Sequence, residues 1–273
     1  SWPACTEGAL IVSAVFDGHA SHPGTEDDIN GATHPTMTTL LAPSPHAGGW
    51  HPAYPQSAVG TSFALPIVSA SLAILGGENV LPSASADQLE LLLKETGAPV
   101  TETRACSGAP GTPRCPDSPP YGYPVPGFTI PRLDLQAVTA AATQALTVQI
   151  DANPWGSNAL DMTTIEDGDT IPVAIESSAL VTGDSQNFDA TTSALDTLRL
   201  GPGAAAVASI DDAWFSDFDG DSDVDAMVGF NAGDTGIACN QTEVELYGFT
   251  SEGTYFSGTD AISTPDCPDQ CHP

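Results

Sequence analysis

The chain has 273 residues and a formal net charge of −30 at pH 7, with 35 acidic side chains against 5 basic ones. This charge excludes nucleic acid as a partner, because its phosphates would be repelled. Repulsion among so many acidic side chains is weakened where salt or divalent cations screen it, so we expect a halophilic or calcium-rich extracellular setting. The simpler alternative is an ordinary soluble acidic surface. Apolar residues make up 41% of the chain, enough for the cores of one large or two modest domains.

The first part of the chain mixes strand and helix patterns. GALIVSAVFDG, within residues 1–20, is an apolar run typical of a buried strand. Ser85 to Gln88 has the pattern of a capping box, followed by a leucine-rich helix that ends near Gly97. PRLDLQAVTAAATQ, residues 131–144, begins with proline and carries helix formers, so we expect a helix there.

The most apolar run, residues 60–75, is too short and too interrupted for a membrane span, which needs about 20 continuous apolar residues. The interruptions are Thr61, Ser62, Pro66, Ser69 and Ser71. We expect a buried helix that starts near Ser62, since proline is tolerated in the first turns of a helix. A serine at this position is usually only a cap, but the positive end of the helix also suits a developing oxyanion.

The residues around Ser62 resemble a known family. GTSFALP, residues 60–66, closely resembles the Gly-Thr-Ser-x-Ala-x-Pro serine block of subtilisin-like peptidases (subtilases). Three further segments occur in the same order as in that family. ALIVSAVFDG resembles the strand before the serine block, and Leu41-Ala42-Pro43 resembles an Ala-Pro-Gly segment. PRLDL resembles the entry to the closing helix. The likeness covers about residues 1–144. It implies a mostly parallel sheet covered by helices, with Ser62 as the nucleophile of a serine endopeptidase.

The same resemblance implies that the family's Asp block, His block and oxyanion Asn precede the matched region. None of the nearby histidines stands in such a block: His19, His22, His34, His46 and His51. A serine without its base is a weak nucleophile, so we expect activity only with an N-terminal portion. The chain starts at Ser1 without Met or signal peptide, and we expect a processed product or an incomplete sequence.

After about residue 146 the pattern changes to short β-branched or alternating segments separated by Gly, Asp and Asn. An all-β sandwich domain is predicted by the segments LTVQIDA, TIPVAIES, DTLRLGP, DAMVGFN and TEVELYGFT. We therefore draw two domains, an α/β part at 1–145 and an all-β part at 146–273.

The stretch SDFDGDSDVD, residues 216–225, places carboxylates at alternate positions around a glycine. Calcium takes six to eight oxygen ligands in flexible geometry, and closely packed carboxylates repel one another without a cation. We predict a calcium site, with a solvated acidic turn as the alternative. Its expected ligands are Asp217, Asp219, Asp221, Asp223 and Asp225, with the carbonyl of Asp223 as a further oxygen.

Cysteine content favours an oxidising location. The 6 cysteines form no Cys-x-x-Cys pair, and Asn240-Gln241-Thr242 has the pattern of an N-glycosylation acceptor. Cys106 and Cys115 flank a Pro/Gly-rich loop, and we expect a disulfide between them. From the residues alone, three connectivities stay open for Cys5, Cys239, Cys267 and Cys271.

The β part resembles a C-terminal module of secreted bacterial and archaeal proteins, on pieces such as VQIDANP, LRLGPG and GTDAIST. That resemblance implies a Cys239–Cys267 disulfide. Cys5 and Cys271 would then pair with each other or reach another chain. The alternative is a small loop closed by Cys267 and Cys271, with Cys5 free.

These patterns lead to three functional hypotheses. In the first, the chain is the serine-bearing C-terminal portion of a secreted, calcium-stabilised subtilisin-like endopeptidase. In the second, a catalytically inactive subtilase-derived subunit associates with further copies into an extracellular filament, sheath or surface layer, because half of such a fold leaves a strand edge open. The third is a calcium-dependent adhesion or carbohydrate-binding module that uses Trp155, Trp214, Tyr247 and Tyr255.

Overall fold

The structure is a computed structural model. It describes residues 9–15, 39–43, 61–77, 80–101, 128–156, 158–160, 169–181 and 184–264. The chain divides into two compact units, Ser1–Thr143 and Gln144–Pro273. The described part of the first unit contains three α-helices and a mixed sheet, whereas that of the second contains strands and short 3-10 turns. An α/β part followed by a β part is what the sequence predicts at this coarse level.

The sheet of the first unit has four strands in the order β1-β2-β4-β3. They are β1 (Val12–Val15), β2 (Leu40–Pro43), β3 (Ala98–Thr101) and β4 (Thr129–Arg132). The β1–β2 and β2–β4 pairs are parallel, and the β3–β4 pair is antiparallel. One face of this sheet forms an apolar cluster of Val15, Leu41, Val100 and Ile130. Within the run ALIVSAV, Val12–Val15 forms the strand, which pairs with the apolar strand β2.

Helix α1 (Thr61–Leu75) packs against β1 and β2. It buries Ala64, Val68 and Leu75, whose spacing places them on one helical face. The helix begins within one residue of Ser62, as predicted, and Pro66 lies in its second turn. None of the helices in the described ranges is long and apolar enough to cross a membrane.

Helix α2 (Ala86–Glu95) begins at the predicted capping box. The Ser85 hydroxyl accepts a hydrogen bond from the Gln88 N–H at 3.2 Å, and the Gln88 side-chain oxygen accepts one from the Ser85 N–H at 2.5 Å. These bonds satisfy two of the donors that a helix start leaves without partners. The leucines of this helix face the interior, and Gly97 follows its C-cap, Thr96.

Helix α3 (Leu135–Thr143) is shorter than the predicted helix at 131–144. Pro131 and Arg132 belong to β4 instead, where they pair with β3. The helix starts later because the Asp134 carboxylate accepts hydrogen bonds from the N–H groups of Gln136 and Ala137, both at 3.0 Å. An aspartate at the N-cap position thus overrides the preference of proline for the first turn.

The second unit contains two sheets. One has the order β10-β11-β7-β6 and the other the order β5-β13-β12-β8-β9. The strands are β5 (Leu146–Thr147), β6 (Ile150–Ala152), β7 (Thr170–Ile175), β8 (Arg199–Leu200), β9 (Ala205–Ala206), β10 (Trp214–Ser216), β11 (Asp225–Asn231), β12 (Glu243–Phe249) and β13 (Tyr255–Ala261).

Both sheets of the second unit contribute to one apolar core. Val173 and Phe230 enter it from the first sheet, and Leu246 and Phe256 from the second. The segment DAMVGFN coincides with β11, and TEVELYGFT contains β12. Strand β13 was not among the predicted strands, because its Ser, Gly, Thr and Asp give only weak alternation.

The capping box of α2 gives a first prediction. Ser85→Ala should lower the free energy of unfolding by about 1 kcal/mol, because the Gln88 N–H loses its acceptor. Urea unfolding followed by circular dichroism measures this change. Ser83→Ala, an exposed serine in the same approach to the helix, is the matched control and should be neutral. Equal losses in the two variants would contradict the role of the cap.

Candidate functional site

Ser62 is the second residue of α1, and its side chain is exposed. The first N–H groups of a helix have no intrahelical acceptors, and they give this end a partial positive charge. The residue at position 66 is proline, so the Ser62 carbonyl also lacks the usual donor four residues later. The position therefore offers an accessible hydroxyl beside helix donors that favour negative charge.

The base expected beside Ser62 lies outside what the structure describes. All 6 histidines of the sequence fall outside the described residues, including His19, His22, His34, His46 and His51. The described part of the chain thus positions the hydroxyl and the helix end, but it contains no histidine.

The acidic stretch is the loop of a β-hairpin. Strands β10 and β11 pair antiparallel, with Ser216 opposite Asp225, so residues 217–224 connect them. Gly220 and Ser222 have φ values of 87° and 83°, which allow the chain to turn tightly. The Asp217 carboxylate accepts hydrogen bonds from the N–H groups of both, at 2.6 Å and 3.1 Å. Backbone N–H groups therefore hold the aspartates in place.

The structure separates the five predicted ligands into two groups. Asp217, Asp219 and Asp225 each offer a carboxylate oxygen, and these oxygens lie within 4.8 Å of one another. Asp221 and Asp223 instead form a second group with Asp184, whose carboxylate oxygens also lie within 4.8 Å of one another. In an extended strand all five positions would line one face, so the division into two groups reflects the turn that the chain makes at Gly220 and Ser222.

Asp184 is a member of the second group that the sequence did not predict. Its carboxylate accepts a hydrogen bond from the Ala179 N–H at 2.9 Å, within a turn closed by the Ser178–Phe188 bridge. Asp184 precedes the acidic loop by more than 30 residues, so only the tertiary structure brings it to Asp223. A lone Asp between Gly and Ser carries no local signal for metal binding.

One oxygen in the second group is buried and lacks a partner. Oδ2 of Asp223 has no hydrogen-bond donor, whereas the Asp221 carboxylate accepts from the Asp223 N–H at 2.8 Å. A buried carboxylate oxygen without a donor costs free energy, and a cation would satisfy it. An open cavity of about 660 Å³ lies beside this group, lined in part by Ser177, Phe188 and Asp189.

The electrostatics of the loop favour protons or cations. Desolvation, followed by the charges of Asp221 and Asp184, raises the pKa of Asp223. Desolvation also raises the pKa of Asp219, against the opposing hydrogen bond from the Asp221 N–H. Glu176, directly after β7, has its pKa raised from 4.5 to about 7, first by burial and then by the charges of Asp219 and Asp225. Glu176 therefore lies close enough to the first group for the charges of Asp219 and Asp225 to act on it.

The second unit has almost no positive charge to balance these groups. Arg199 is its sole lysine or arginine in the sequence, and its guanidinium donates to the backbone carbonyls of Asp196 and Leu198 at 2.9 Å and 2.7 Å. Hard cations prefer oxygen ligands, and they stabilise crowded carboxylates by reducing the repulsion between them. The residues present thus fit a divalent cation in chemistry and spacing.

The other predicted site residues divide between described and undescribed positions. Cys239 is disulfide-bonded, whereas its predicted partner, Cys267, lies outside the described residues. So do Cys106, Cys115, Cys5 and Cys271. Tyr247 and Tyr255 are buried core residues, which removes them from the carbohydrate-binding hypothesis. Trp155 and Trp214 are exposed, and Trp214 packs edge-on against Phe218 at a centroid distance of 5.1 Å.

No protein-family model matches the chain, and no curated protein matches it.

Glu176 predicts a pH dependence in cation-free buffer. Its pKa of about 7 in the folded state exceeds the ordinary 4.5, so between these values the folded state binds more protons than the unfolded state. The free energy of unfolding should therefore fall as the pH rises from about 4.5 to about 7. Glu176→Gln should remove this component, as unfolding in a chelator at several pH values would show.

Glu243→Gln provides the control for this pH prediction, because Glu243 is an exposed glutamate on β12. It should leave the pH profile unchanged. Parallel profiles for wild type and Glu176→Gln would contradict the assignment.

Proposed function

We propose that the chain is the serine-bearing C-terminal portion of a secreted subtilisin-like serine endopeptidase, with Ser62 as its nucleophile. The observation that carries this proposal is the exposed Ser62 in the first turn of a helix that packs on two parallel strands. The GTSFALP block around it supports the same reading. In this role the Ser62 oxygen attacks the peptide carbonyl and a base takes the hydroxyl proton. The helix end favours the negative charge that forms nearby.

An N-terminal portion would supply the Asp, the His and the oxyanion Asn. Two features of the first unit support a further covering element. Strand β1 stands at one end of the described sheet order, although Ala14 and Val15 on it are fully buried. On α1, Leu65 and Ile74 are 53% and 60% exposed, on a helix that is apolar on most of its surface. A helix of this kind is normally buried all round.

For the second unit we propose a calcium-stabilised β module. The two carboxylate groups of the hairpin loop would each hold one ion, with Asp217, Asp219 and Asp225 around the first. Bound calcium would neutralise the repulsion within each group and satisfy the buried oxygen of Asp223. The high negative charge of the chain suits an extracellular setting, where calcium is abundant.

Fluorophosphonate labelling of the native material tests the peptidase proposal. We expect covalent labelling at Ser62, located by peptide mass spectrometry, and co-purification of an upstream polypeptide under non-reducing conditions. Ser62→Ala should abolish the label. Ser69→Ala, an exposed serine on the same helix, should retain it.

Absence of label from correctly folded native material would overturn catalysis by this chain. If that material were also a large particle of one polypeptide, the second hypothesis, an inactive subunit of an extracellular filament, sheath or surface layer, would replace it. Circular dichroism of each variant confirms that a lost label does not reflect loss of fold.

Calcium titration tests the proposed cation sites. Calcium at about 100 times its dissociation constant should stabilise the folded state by about 2.7 kcal/mol for each site. Calorimetry should find two ions on wild type. Asp184→Asn should remove one of them and Asp219→Asn the other, because each change removes a negative charge but preserves side-chain shape.

Asp212→Asn is the matched control for the calcium titration. Asp212 is exposed and precedes β10, outside both groups, so this variant should bind both ions. An unfolding temperature of wild type that does not respond to millimolar calcium would overturn the calcium proposal and leave the peptidase proposal intact.

A further inference from the structure

The connection between β11 and β12 contains an asparagine with an unusual combination of features. Asn240 is exposed and has φ 65°, in the left-handed region. Next to it, the backbone N–H of Gln241 donates to the Ala238 carbonyl at 3.2 Å, and the Gln241 side-chain oxygen accepts from the Ala238 N–H at 3.2 Å. These two bonds hold the backbone of Asn240 in a tight turn at the surface. Neither of them involves the Asn240 side chain.

A left-handed backbone alone can explain an asparagine, because Asn tolerates positive φ better than most residues. The chain offers two comparisons. Asn153 and Asn158 also have positive φ, and both use their side-chain amides internally: Asn153 donates to the Ala159 carbonyl, and Asn158 donates to Asp260, each at 2.8 Å. Within the described part of the chain, the Asn240 amide makes no such bond. Its nitrogen is thus free for another role.

Thr242 supplies the second part of the pattern. It lies two positions after Asn240, is exposed, and joins the sheet through its carbonyl, which accepts from the Ile262 N–H at 3.0 Å. Its hydroxyl makes no hydrogen bond with the described residues. No other asparagine of the sequence is followed at this spacing by Ser or Thr. The left-handed backbone therefore explains why an asparagine stands at position 240, but it does not explain the threonine at position 242.

The neighbouring residue gives an independent indication of the compartment. Cys239, directly before Asn240, is disulfide-bonded. Disulfides persist in oxidising compartments outside the cytoplasm, which are also where Asn-x-Thr acceptors are glycosylated.

We propose that Asn240 carries an N-linked glycan. In the transfer, the Asn240 side-chain nitrogen forms a bond to the anomeric carbon of an oligosaccharide and loses one proton to a base. The bond between that carbon and the phosphate of a polyprenyl-phosphate-linked donor breaks, and the lipid phosphate leaves. The exposed turn provides space for the glycan without displacing core residues. This modification uses neither Ser62 nor the hairpin carboxylates, so it stands independently of the proposed function.

Mass spectrometry of the native secreted protein tests this inference. Arg199 is the sole tryptic site of the second unit in the sequence, so a protease that cuts at aromatic residues is needed to release the Asn240 peptide. We expect that peptide to carry a hexose-containing mass addition. Expressed in the same cells, Asn240→Gln and Thr242→Ala should lose the addition completely, whereas Thr242→Ser should retain it at lower occupancy.

Asn187→Gln is the control, because Asn187 is outside any acceptor pattern, and it should keep the addition. A reporter glycoprotein secreted by the same cells shows that the transfer machinery works. An unmodified Asn240 peptide beside a glycosylated reporter would overturn the inference. So would an addition that persists in Thr242→Ala, because it would then not depend on the acceptor pattern.

Discussion

The buried carboxylate of Asp225 connects the segments that form the acidic site. Asp225 is fully buried, and its two oxygens accept hydrogen bonds from the N–H groups of Ser177 and Phe218, both at 2.8 Å. The Ser177 hydroxyl in turn donates to the Val224 carbonyl at 2.7 Å and accepts from the Ala190 N–H at 2.9 Å. A buried charge is tolerated only when it is fully hydrogen-bonded, so these contacts hold the hairpin loop against the end of β7.

Once the loop is held there, its remaining carboxylates have to share a small space. Glu176 comes beside Asp219 and Asp225, and Asp223 comes beside Asp184. With Arg199, the sole lysine or arginine of the second unit in the sequence, bonded to backbone carbonyls, protons or cations from solution are available to balance this charge. The raised pKa values and the proposed calcium ions are thus two consequences of the same crowding. Strong acidity of the whole chain acts in the same direction.

The first unit depends on a different constraint, the position of α1 on the parallel strands β1 and β2. Ala64 and Val68 face the sheet, which turns Ser62 outward at the start of the helix. The same geometry leaves Leu65 and Ile74 exposed. An exposed serine hydroxyl at the helix start and an incompletely covered helix therefore occur together, and the proposed N-terminal portion would account for both.

Local chemistry by itself determined several features of this protein. The capping box of Ser85 and Gln88, the start of α1 near Ser62, strand β11 and the row of aspartates could all be predicted, because each depends on residues within a few positions of one another. The predicted start of α3 was wrong by four residues because two local signals, Pro131 and Asp134, compete. Asp134 caps the helix, and Pro131 pairs with β3 instead of starting it. The division of the aspartates into two groups, the approach of Asp184 and Glu176 to them, and the burial of Tyr247 and Tyr255 were decided by the tertiary structure alone. These features depend on which strands become neighbours and in what register, and that is set by packing between distant segments.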